Sequence, residues 1–181
     1  PSTFQILPWR PQEKGAARMF CDIKTPNGEP FEGDTRAVLR RVCDEAYDRG
    51  MVCSLSPAIE HFYFKDSKGV EPLDCGGYFD NMPLDSGNDL RRESVLMLER
   101  MGIPVEYSHH ENAPSQHEIH LRYADACSMA DAVMTHRLVV KQVAQSHGCY
   151  ASFMPKPCAA YDGSGMHLHL ALHNFDGVNL F

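Results

Sequence analysis

The sequence predicts an α+β domain in which helices flank a mostly antiparallel sheet. Strand-like stretches follow one another across short polar turns, as antiparallel strands do. Three stretches of helical length, each followed by a glycine, lie between these strands, and no internal repeat is visible. The chain has 181 residues, of which 43% are hydrophobic and 23% are charged, values typical of a globular domain with a sizeable core.

Alternating or continuous apolar runs predict the strands. They are expected at residues 1–10, 16–25, 51–55, 59–64, 105–111, 117–123, 150–154 and 163–173. Asn27-Gly28 and Asp176-Gly177 indicate turns, because these pairs adopt positive φ at little cost.

Cap and stop residues predict three helices. They are expected from Asp34 or Thr35 to Gly50, from Asn88 to Arg100 and from Ala126 to His147. Asp34 or Thr35 caps the first helix and Asn88 caps the second, since these side chains accept hydrogen bonds from free N–H groups. Residues 71–88 contain Gly76-Gly77 and two prolines and are expected to form a long irregular loop. Long loops inside compact domains are often functional.

The composition excludes several classes of protein. Net charge is −7, from 24 acidic and 17 basic residues without a basic run, so no nucleic-acid-binding surface is predicted. No apolar run is long enough to cross a membrane, and no signal peptide is recognised. The seven cysteines are scattered without a Cys-x-x-Cys pair. This pattern argues against a disulfide framework or a zinc knuckle and favours a cytoplasmic location.

The last predicted strand, residues 163–173, carries most of the functional signal. Alternate side chains of a strand share a face. One face holds His167, His169, Ala171 and His173, and the other holds Met166, Leu168, Leu170 and Leu172. We expect the leucine face to be core and the histidine face to be the floor of a polar site. A His-x-His pair alone is better explained as a half-exposed strand, so this interpretation depends on the rest of the chain.

Three glutamates favour a cation site. Glu111 ends one predicted strand and Glu118 begins the next, so a hairpin would place both at the same end of the sheet. Glu60 lies among mostly apolar neighbours, an unusual place for an unpaired charge. Each glutamate alone is better explained as a solvated strand residue. Together, beside the histidine strand, they favour a hard ion, Mg²⁺ or Mn²⁺, over zinc.

Several stretches resemble the catalytic domain of the glutamine synthetase family, in order and over essentially the whole chain. The most specific are Ser108–Glu118, Ala151–Pro157 and Gly163–His169. Residues 1–10 look most like the branch that includes γ-glutamylpolyamine ligases. The resemblance implies a curved sheet and an ATP-dependent ligase that joins ammonia to glutamate through a γ-glutamyl phosphate.

The resemblance also implies the metal ligands. Those of the first Mg²⁺ or Mn²⁺ ion would be Glu60, Glu111 and Glu118. His109 and His110 would lie beside that ion. His167 would bind a second ion, which neutralises the transferring phosphoryl oxygens.

The substrate contacts implied by the resemblance lie nearby in the sequence. Asp162 and Gly163 would contact glutamate. The nucleotide pocket would be lined by Glu106, Leu121, Arg122, Tyr123, His169 and Ala171. No catalytic acid or base is assigned within the chain.

Three positions depart from the family's pattern. Ala58 stands where a glutamate ligand of the second ion is usual, so that ion lacks one ligand. Asp162 stands where asparagine is usual, and its carboxylate would repel substrate glutamate unless a cation pairs with it. Ala171 stands where a serine often lines the nucleotide pocket.

Family members are much longer than this chain. Residues 1–181 are therefore expected to be the first portion of a catalytic domain, without the N-terminal domain or the C-terminal part, and to be inactive alone. Full-length relatives form homo-oligomeric dodecamers. Two alternatives stay open: a ligase for a polyamine or another amine, and a family member that has lost catalysis and serves as a binding or assembly subunit. Ala58 motivates the second. A one-metal hydrolase on the same glutamates and histidines ranks lowest.

Overall fold

The computed structural model describes residues 2–10 and 12–181. Pro1, the first residue of the predicted opening strand, lies outside the described residues, as does Pro11. The strands are β1 (Gln5–Ile6), β2 (Ala17–Arg18), β3 (Val52–Phe64), β4 (Val105–His110), β5 (Gln116–Leu121), β6 (Ala124–Asp125), β7 (Tyr150–Ser152) and β8 (Met166–His173). The α-helices are α1 (Thr35–Asp48), α2 (Asn88–Arg100) and α3 (Ala126–Ser146). A short 3-10 helix covers Gln12–Lys14.

The main sheet has six strands and confirms the predicted fold class. Its strand order is β4-β5-β3-β6, and β7 and β8 also pair with β3. The pairings of β3 with β5, β6 and β7, and of β4 with β5, are all antiparallel. β1 and β2 form a two-stranded antiparallel sheet of their own. The central strand of the larger sheet is therefore β3.

β3 corrects one prediction, because the strands predicted at residues 51–55 and 59–64 are parts of one strand of 13 residues that begins at Val52. Pro57 falls in the gap between the two predicted strands. It lies between Ser54–Leu55, which pair with β6, and Ala58–Phe62, which pair with β5. A proline is tolerated in a strand where its missing N–H is not needed for pairing.

The first helix begins where the sequence predicts. The Asp34 carboxylate accepts a hydrogen bond from the Arg36 backbone N–H at 3.1 Å, which confirms Asp34 as the N-cap of α1. Its other oxygen accepts from the Ile23 N–H at 3.0 Å. Gly50 follows the helix at φ 80°, a conformation that suits glycine.

The predicted cap of the second helix is wrong by one residue. Asn88 is the first helical residue, and Gly87 occupies the cap position without a side-chain hydrogen bond. The reason is packing: a Cβ at Gly87 would lie 2.4 Å from Nε2 of His117. Only glycine fits there, so a capping side chain is excluded.

The chain divides into two compact units. The first contains residues up to Leu55, Tyr123–Asp131 and Leu170–Phe181, and the second contains Ser56–Arg122 and Ala132–His169. Most of the buried apolar side chains belong to the second unit; the largest are Phe62, Tyr63, Leu98, Ile119, Leu121, Val139 and Val140. Among described residues of the first unit, the buried apolar side chains are Ala126 and Met129.

The leucine face of β8 is not core, contrary to the prediction. Met166, Leu168 and Leu170 are 50%, 53% and 46% exposed, and Leu172 is only partly buried. The 2.0-residue period of a strand tells which side chains share a face, but not whether another element covers that face. In the part of the chain that the structure describes, no helix is both long and apolar enough to cross a bilayer.

Candidate functional site

Three neighbouring strands of the second unit place acidic and histidine side chains in one row. Glu60 of β3 pairs in register with Glu118 of β5, and Glu118 pairs with His109 of β4. Directly opposed residues of antiparallel strands project from the same face, with Cβ atoms about 5 Å apart. Sheet register therefore brings together residues that are up to 58 positions apart in the sequence.

Two groups of possible metal ligands share Glu118. The ligand atoms of Glu60, Glu118 and His167 all lie within 4.8 Å of one another, and so do those of His109, Glu111 and Glu118. The three glutamates proposed for the first ion thus form a continuous set with Glu118 in the middle. His167, proposed for the second ion, approaches Glu60, with 3.9 Å between its Nδ1 and Oε1 of Glu60.

One oxygen of Glu60 is held in place by the protein. Its Oε2 accepts hydrogen bonds from the Gly165 N–H at 3.1 Å and from Nε2 of Gln116 at 3.0 Å. The same Gln116 nitrogen donates to the Gly163 carbonyl at 2.9 Å. The backbone N–H of Glu60 donates to the Gly165 carbonyl at 3.1 Å. These bonds fix Oε2 and direct Oε1 towards His167.

The Gly-Ser-Gly segment needs its first glycine because of the protein's own packing. A Cβ at Gly163 would lie 2.6 Å from the Pro155 carbonyl oxygen, a distance at which the backbone must shift. The next residue, Ser164, donates its N–H to that same oxygen at 2.7 Å. The close approach to Gly163 is thus made by the backbone of Pro155.

Glu111 follows the last residue of β4 and is oriented from both sides. Nε2 of His109 lies 2.7 Å from Oε1 of Glu111, and Oε2 accepts from the Asn112 N–H at 3.1 Å. Its backbone N–H donates to the Gln116 carbonyl at 2.7 Å across the β4–β5 turn. His109 is therefore a direct neighbour of the Glu111 carboxylate.

Glu118 is the exception among the three glutamates. It is only 7% exposed, and its carboxylate accepts no hydrogen bond from the described residues. Burial raises its pKa; nearby Glu111 and Glu60 raise the pKa further, while His109 opposes them. A buried carboxylate without donors is unfavourable unless a cation compensates for it. Glu118 thus fits a site for a divalent ion with oxygen ligands.

A second polar cluster, made of Asp74, Asp85, His110 and His117, lies in the same unit and is buried. Its charges are already compensated internally, because Nη1 of Arg91 contacts both Asp85 Oδ2 and His117 Nδ1 at 2.8 Å. A guanidinium in this position repels a metal ion. We interpret this cluster as a hydrogen-bonded support rather than a metal site.

His110 belongs to this support and not to the row of carboxylate oxygens. Its Nε2 lies 3.0 Å from Oδ1 of Asp74. Burial alone would raise the pKa of Asp74 and lower that of His110, but their mutual hydrogen bond reverses both directions. The Ser115 and Gly76 N–H groups lower the pKa of Asp74 further, and the Glu111 carbonyl raises that of His110 further. The structure therefore separates His110 from His109, since neighbouring strand residues point to opposite faces.

The predicted substrate residues are distributed as follows. The Asp162 carboxylate accepts from the Asn112 side-chain amide, so its partner is neutral and not a cation. Leu121 is fully buried and offers only its backbone, whose carbonyl accepts from the Ser56 hydroxyl at 2.7 Å. The Arg122 guanidinium donates to the Val105 carbonyl at 3.1 Å.

The remaining predicted nucleotide residues fall into both units. Glu106 and His169 are exposed in the second unit. The ring of His169 lies 5.0 Å from that of His120, which pairs in register with Ala58. Tyr123 and Ala171 belong to the first unit.

Sequence reasoning missed two residues that shape the site. Gln116 ties Glu60 to Gly163, and strand alternation could have revealed it, because Gln116 shares a face with Glu118. Asp74 organises the support cluster from the long 71–88 loop. No local pattern marks its contacts to the β4–β5 turn, because His110 and Ser115 are 36 and 41 positions away.

Comparisons with known proteins agree on one family. The sequence model of the family described as "Glutamine synthetase, catalytic domain" matches residues 32–181. Glutamine synthetase of Mycolicibacterium smegmatis is 52% identical in an alignment of 182 positions that covers 97% of this chain and 41% of that protein. Glutamine synthetase of Mycobacterium tuberculosis (strain H37Rv) is 50% identical in an alignment of 187 positions that covers 100% of this chain and 42% of that protein.

A solved structure gives the same result. A cryo-EM structure of Plasmodium falciparum glutamine synthetase superposes with a TM-score of 0.87 at 26% identity, covering 99% of this chain and 41% of that chain. The chain thus spans about two-fifths of the length of the relatives it matches.

Proposed function

The chain belongs to the glutamine synthetase family, and on that premise we propose that it forms the metal-binding part of an active site that makes glutamine from glutamate, ammonia and ATP. The observation that carries the proposal is Glu118. Its buried carboxylate lies between Glu60 and Glu111 and accepts no hydrogen bond from the described residues. A divalent cation would turn the repulsion among these carboxylates into attraction.

The proposed cation ligands match a hard ion. Carboxylate oxygens of Glu60, Glu111 and Glu118 favour Mg²⁺ or Mn²⁺, with His109 beside them. The exposed His167 adds a nitrogen donor for a second ion. Ala58 contributes no donor atom, so the ligands of a second ion would come largely from elsewhere.

The reaction needs two substitutions at different atoms. The glutamate side-chain carboxylate attacks the γ-phosphorus of ATP, forming a C–O–P linkage as ADP leaves. Ammonia then attacks the activated carbonyl carbon, loses a proton and displaces phosphate. Bound cations supply charge neutralisation at the phosphoryl oxygens and orient the reactants.

The residues of this chain would orient the reactants and shape the site. Gln116 donates hydrogen bonds to both Glu60 and the Gly163 carbonyl, which fixes the position of the proposed cation ligand relative to the proposed glutamate contact. Gly163 and Asp162 would line the glutamate site. Within the second unit, we assign nucleotide contacts to Glu106, Arg122, His169 and the backbone of Leu121.

We further propose that residues 1–181 are one portion of a longer catalytic domain in a homo-oligomer. The length covered in the relatives supports this assignment. We also propose a cytoplasmic location, a compartment in which scattered cysteines stay reduced. The amine-ligase and inactive-subunit alternatives are not favoured, because the curated relatives described above are named glutamine synthetases.

The test is a phosphate-release assay on the full-length protein with glutamate, ATP and Mg²⁺ or Mn²⁺. Ammonia should support turnover, and putrescine and spermine should not. Glu118→Gln should abolish turnover, whereas Glu99→Gln, on an exposed position of α2, should leave it unchanged. Turnover with a polyamine but not with ammonia would overturn the substrate assignment. Full activity of Glu118→Gln would overturn the metal assignment.

A further inference from the structure

We propose that Asp74 and His110 are positioning residues that hold the main chain at Glu111, and with it the whole β4–β5 turn, in the geometry that cation binding requires. This inference rests on the proposed function, because it concerns the ligands of that site. It assigns a role in cation binding to two buried residues that reach the proposed ligand Glu111 through its backbone carbonyl and not through its carboxylate.

His110 connects Asp74 to the backbone of Glu111. Its Nδ1 lies 2.6 Å from the Glu111 carbonyl oxygen, which can only accept, so Nδ1 carries the proton. On the other side of the ring, Nε2 lies 3.0 Å from Oδ1 of Asp74. The ring is fully buried, so water cannot replace either contact. One imidazole therefore fixes the position of the Glu111 peptide relative to Asp74.

Asp74 also forms hydrogen bonds with Ser115, at the end of the turn that leads into β5. Its Oδ1 accepts from the Ser115 N–H at 2.8 Å, and the Asp74 N–H donates to the Ser115 hydroxyl at 2.8 Å. Ser115 has φ 58°, a left-handed conformation that costs free energy for a residue with a Cβ. The Asp74 contacts compensate for this cost and select the turn conformation.

Asp74 is itself anchored in the long loop. Its Oδ2 accepts from the Ser86 N–H at 3.0 Å, and Oδ1 accepts from the Gly76 N–H at 3.3 Å. Gly76 allows His110 to come this close, because a Cβ there would lie 2.8 Å from Nε2 of the imidazole. The loop of residues 71–88 thus packs against the His110 imidazole and keeps both of its ring nitrogens in their hydrogen bonds.

The conformation of the turn matters because the proposed cation-binding residues lie directly before and after it in the chain. Glu111 precedes it, Glu118 follows it by two residues, and Gln116 at its end binds the carboxylate of Glu60. A shift of the turn would change the relative positions of all three glutamates. Removing a group that orients a metal ligand through a hydrogen bond typically weakens metal binding about 10–100-fold.

Two substitutions at one position separate the two contacts of the ring. Asparagine places an amide nitrogen near the position of Nδ1, and glutamine places one near Nε2. His110→Asn keeps a donor for the Glu111 carbonyl, whereas His110→Gln keeps only the contact to Asp74. We expect His110→Gln to weaken Mn²⁺ binding to the full-length protein about 10–100-fold and His110→Asn to lie much closer to wild type.

Asp74→Asn should also weaken Mn²⁺ binding, since it preserves shape but replaces one of the two acceptor oxygens with an amide donor, so the contacts to Nε2 of His110 and to the Ser86 N–H cannot both be kept. The matched control is Asp80→Asn, because Asp80 lies in the same loop and its carboxylate accepts from the Gly77 N–H at 2.9 Å. Mn²⁺ affinity, measured by electron paramagnetic resonance, is the readout, and the thermal midpoint of unfolding is recorded alongside it. A purely structural role predicts equal losses for both His110 variants.

The outcomes separate this inference from the proposed function. If Glu111→Gln leaves Mn²⁺ affinity unchanged, the cation site itself is misassigned. If Glu111→Gln weakens binding but His110→Gln and Asp74→Asn do not, the positioning role is refuted and the cation site stands. Should His110→Gln fail to fold, Asp74→Asn decides alone: wild-type affinity refutes the positioning role, and a loss relative to Asp80→Asn supports it.

Discussion

β5 and β8 both carry histidines and have opposite environments. Gln116–Leu121 has histidines at positions 117 and 120, and Met166–His173 has them at positions 167, 169 and 173. Every residue of β5 is buried, whereas Met166–Leu170 of β8 are exposed. β5 lies between β3 and β4, which pair with it on both edges. Position in the sheet therefore determines the electrostatic environment of each side chain.

The difference decides which residues can bind a cation strongly. Glu118 on β5 is withdrawn from water and its pKa is raised by burial and by its neighbouring carboxylates. The side chain of His167 on β8 is 70% exposed, and its Nδ1 lies 3.9 Å from Oε1 of Glu60. We therefore expect β5 to supply the stable part of the site and β8 an adjustable part.

The largest expected effect tests burial itself. Ile119→Ala removes a side chain with no exposed surface and should lower the free energy of unfolding by about 2–5 kcal/mol. Leu168→Ala, at an exposed position of β8, should change it by less than about 0.5 kcal/mol. Urea unfolding of the purified protein measures both. A loss at Leu168 as large as that at Ile119 would contradict the contrast between the strands.

The second effect concerns Mn²⁺ affinity. Removing one carboxylate charge about 4 Å from an ion, at an effective dielectric of about 20, costs less than about 8 kcal/mol for a divalent cation. We expect Glu118→Gln to weaken binding by about 100-fold, equivalent to about 2.7 kcal/mol. His167→Gln should weaken it about tenfold or less, since water can take the place of an exposed ligand.

Calorimetric titration of Mn²⁺ into the full-length protein measures both variants. Glu71→Gln, at an exposed loop carboxylate, serves as the charge-matched control for Glu118→Gln. A larger loss for His167→Gln than for Glu118→Gln would reverse the assignment of the stable and adjustable parts.

Glu118→Gln, which should weaken Mn²⁺ binding, should stabilise the metal-free protein. The pKa of Glu118 is raised in the folded state, so folding takes up protons and this contribution to stability is lost as pH rises through the raised pKa. At pH 8 in the presence of a chelator, Glu118→Gln should therefore raise the melting temperature by about 2 °C. The gain should shrink as pH is lowered towards 5. An unchanged or lower melting temperature at pH 8 would contradict the unfavourable burial.

Local signals predicted a large part of this molecule. Asp34 capped α1 as expected, and the Glu111–Glu118 spacing correctly indicated a hairpin with both carboxylates at one end. These features depend on residues a few positions apart. The fold class followed from the same short-range signals, because hairpins require antiparallel strands.

What the sequence did not predict depends on distant contacts. The hydrogen bond from Gln116 to Glu60 joins residues 56 positions apart, and that from His110 to Asp74 joins residues 36 positions apart. The exposure of Leu168 depends on what covers β8, which no pattern within β8 can encode. The alternation of residues along a strand predicts the face on which a side chain lies, whereas tertiary packing determines which residues it contacts.

The smallest expected effect isolates one pair of facing rings. His120 of β5 and His169 of β8 lie 5.0 Å apart, but His120 is 6% exposed and neither of its ring nitrogens has a hydrogen-bond partner in the described residues. Burial, and then His169, lower the pKa of His120. The folded state thus resists protonation, so this contribution to stability is present above the unfolded pKa of about 6.5 and is lost as pH falls below it.

His120→Leu should therefore flatten the loss of stability between pH 7 and 5, and at pH 5 it should stabilise the protein by about 1 kcal/mol because it removes two unsatisfied nitrogens. His169→Leu changes an exposed ring, so it should alter neither the slope nor the stability by more than about 0.5 kcal/mol. Thermal unfolding across this pH range measures both. Equal slopes for the two variants would mean that the two strands do not differ at this level, because a buried neutral imidazole and a solvated one must respond differently to protons.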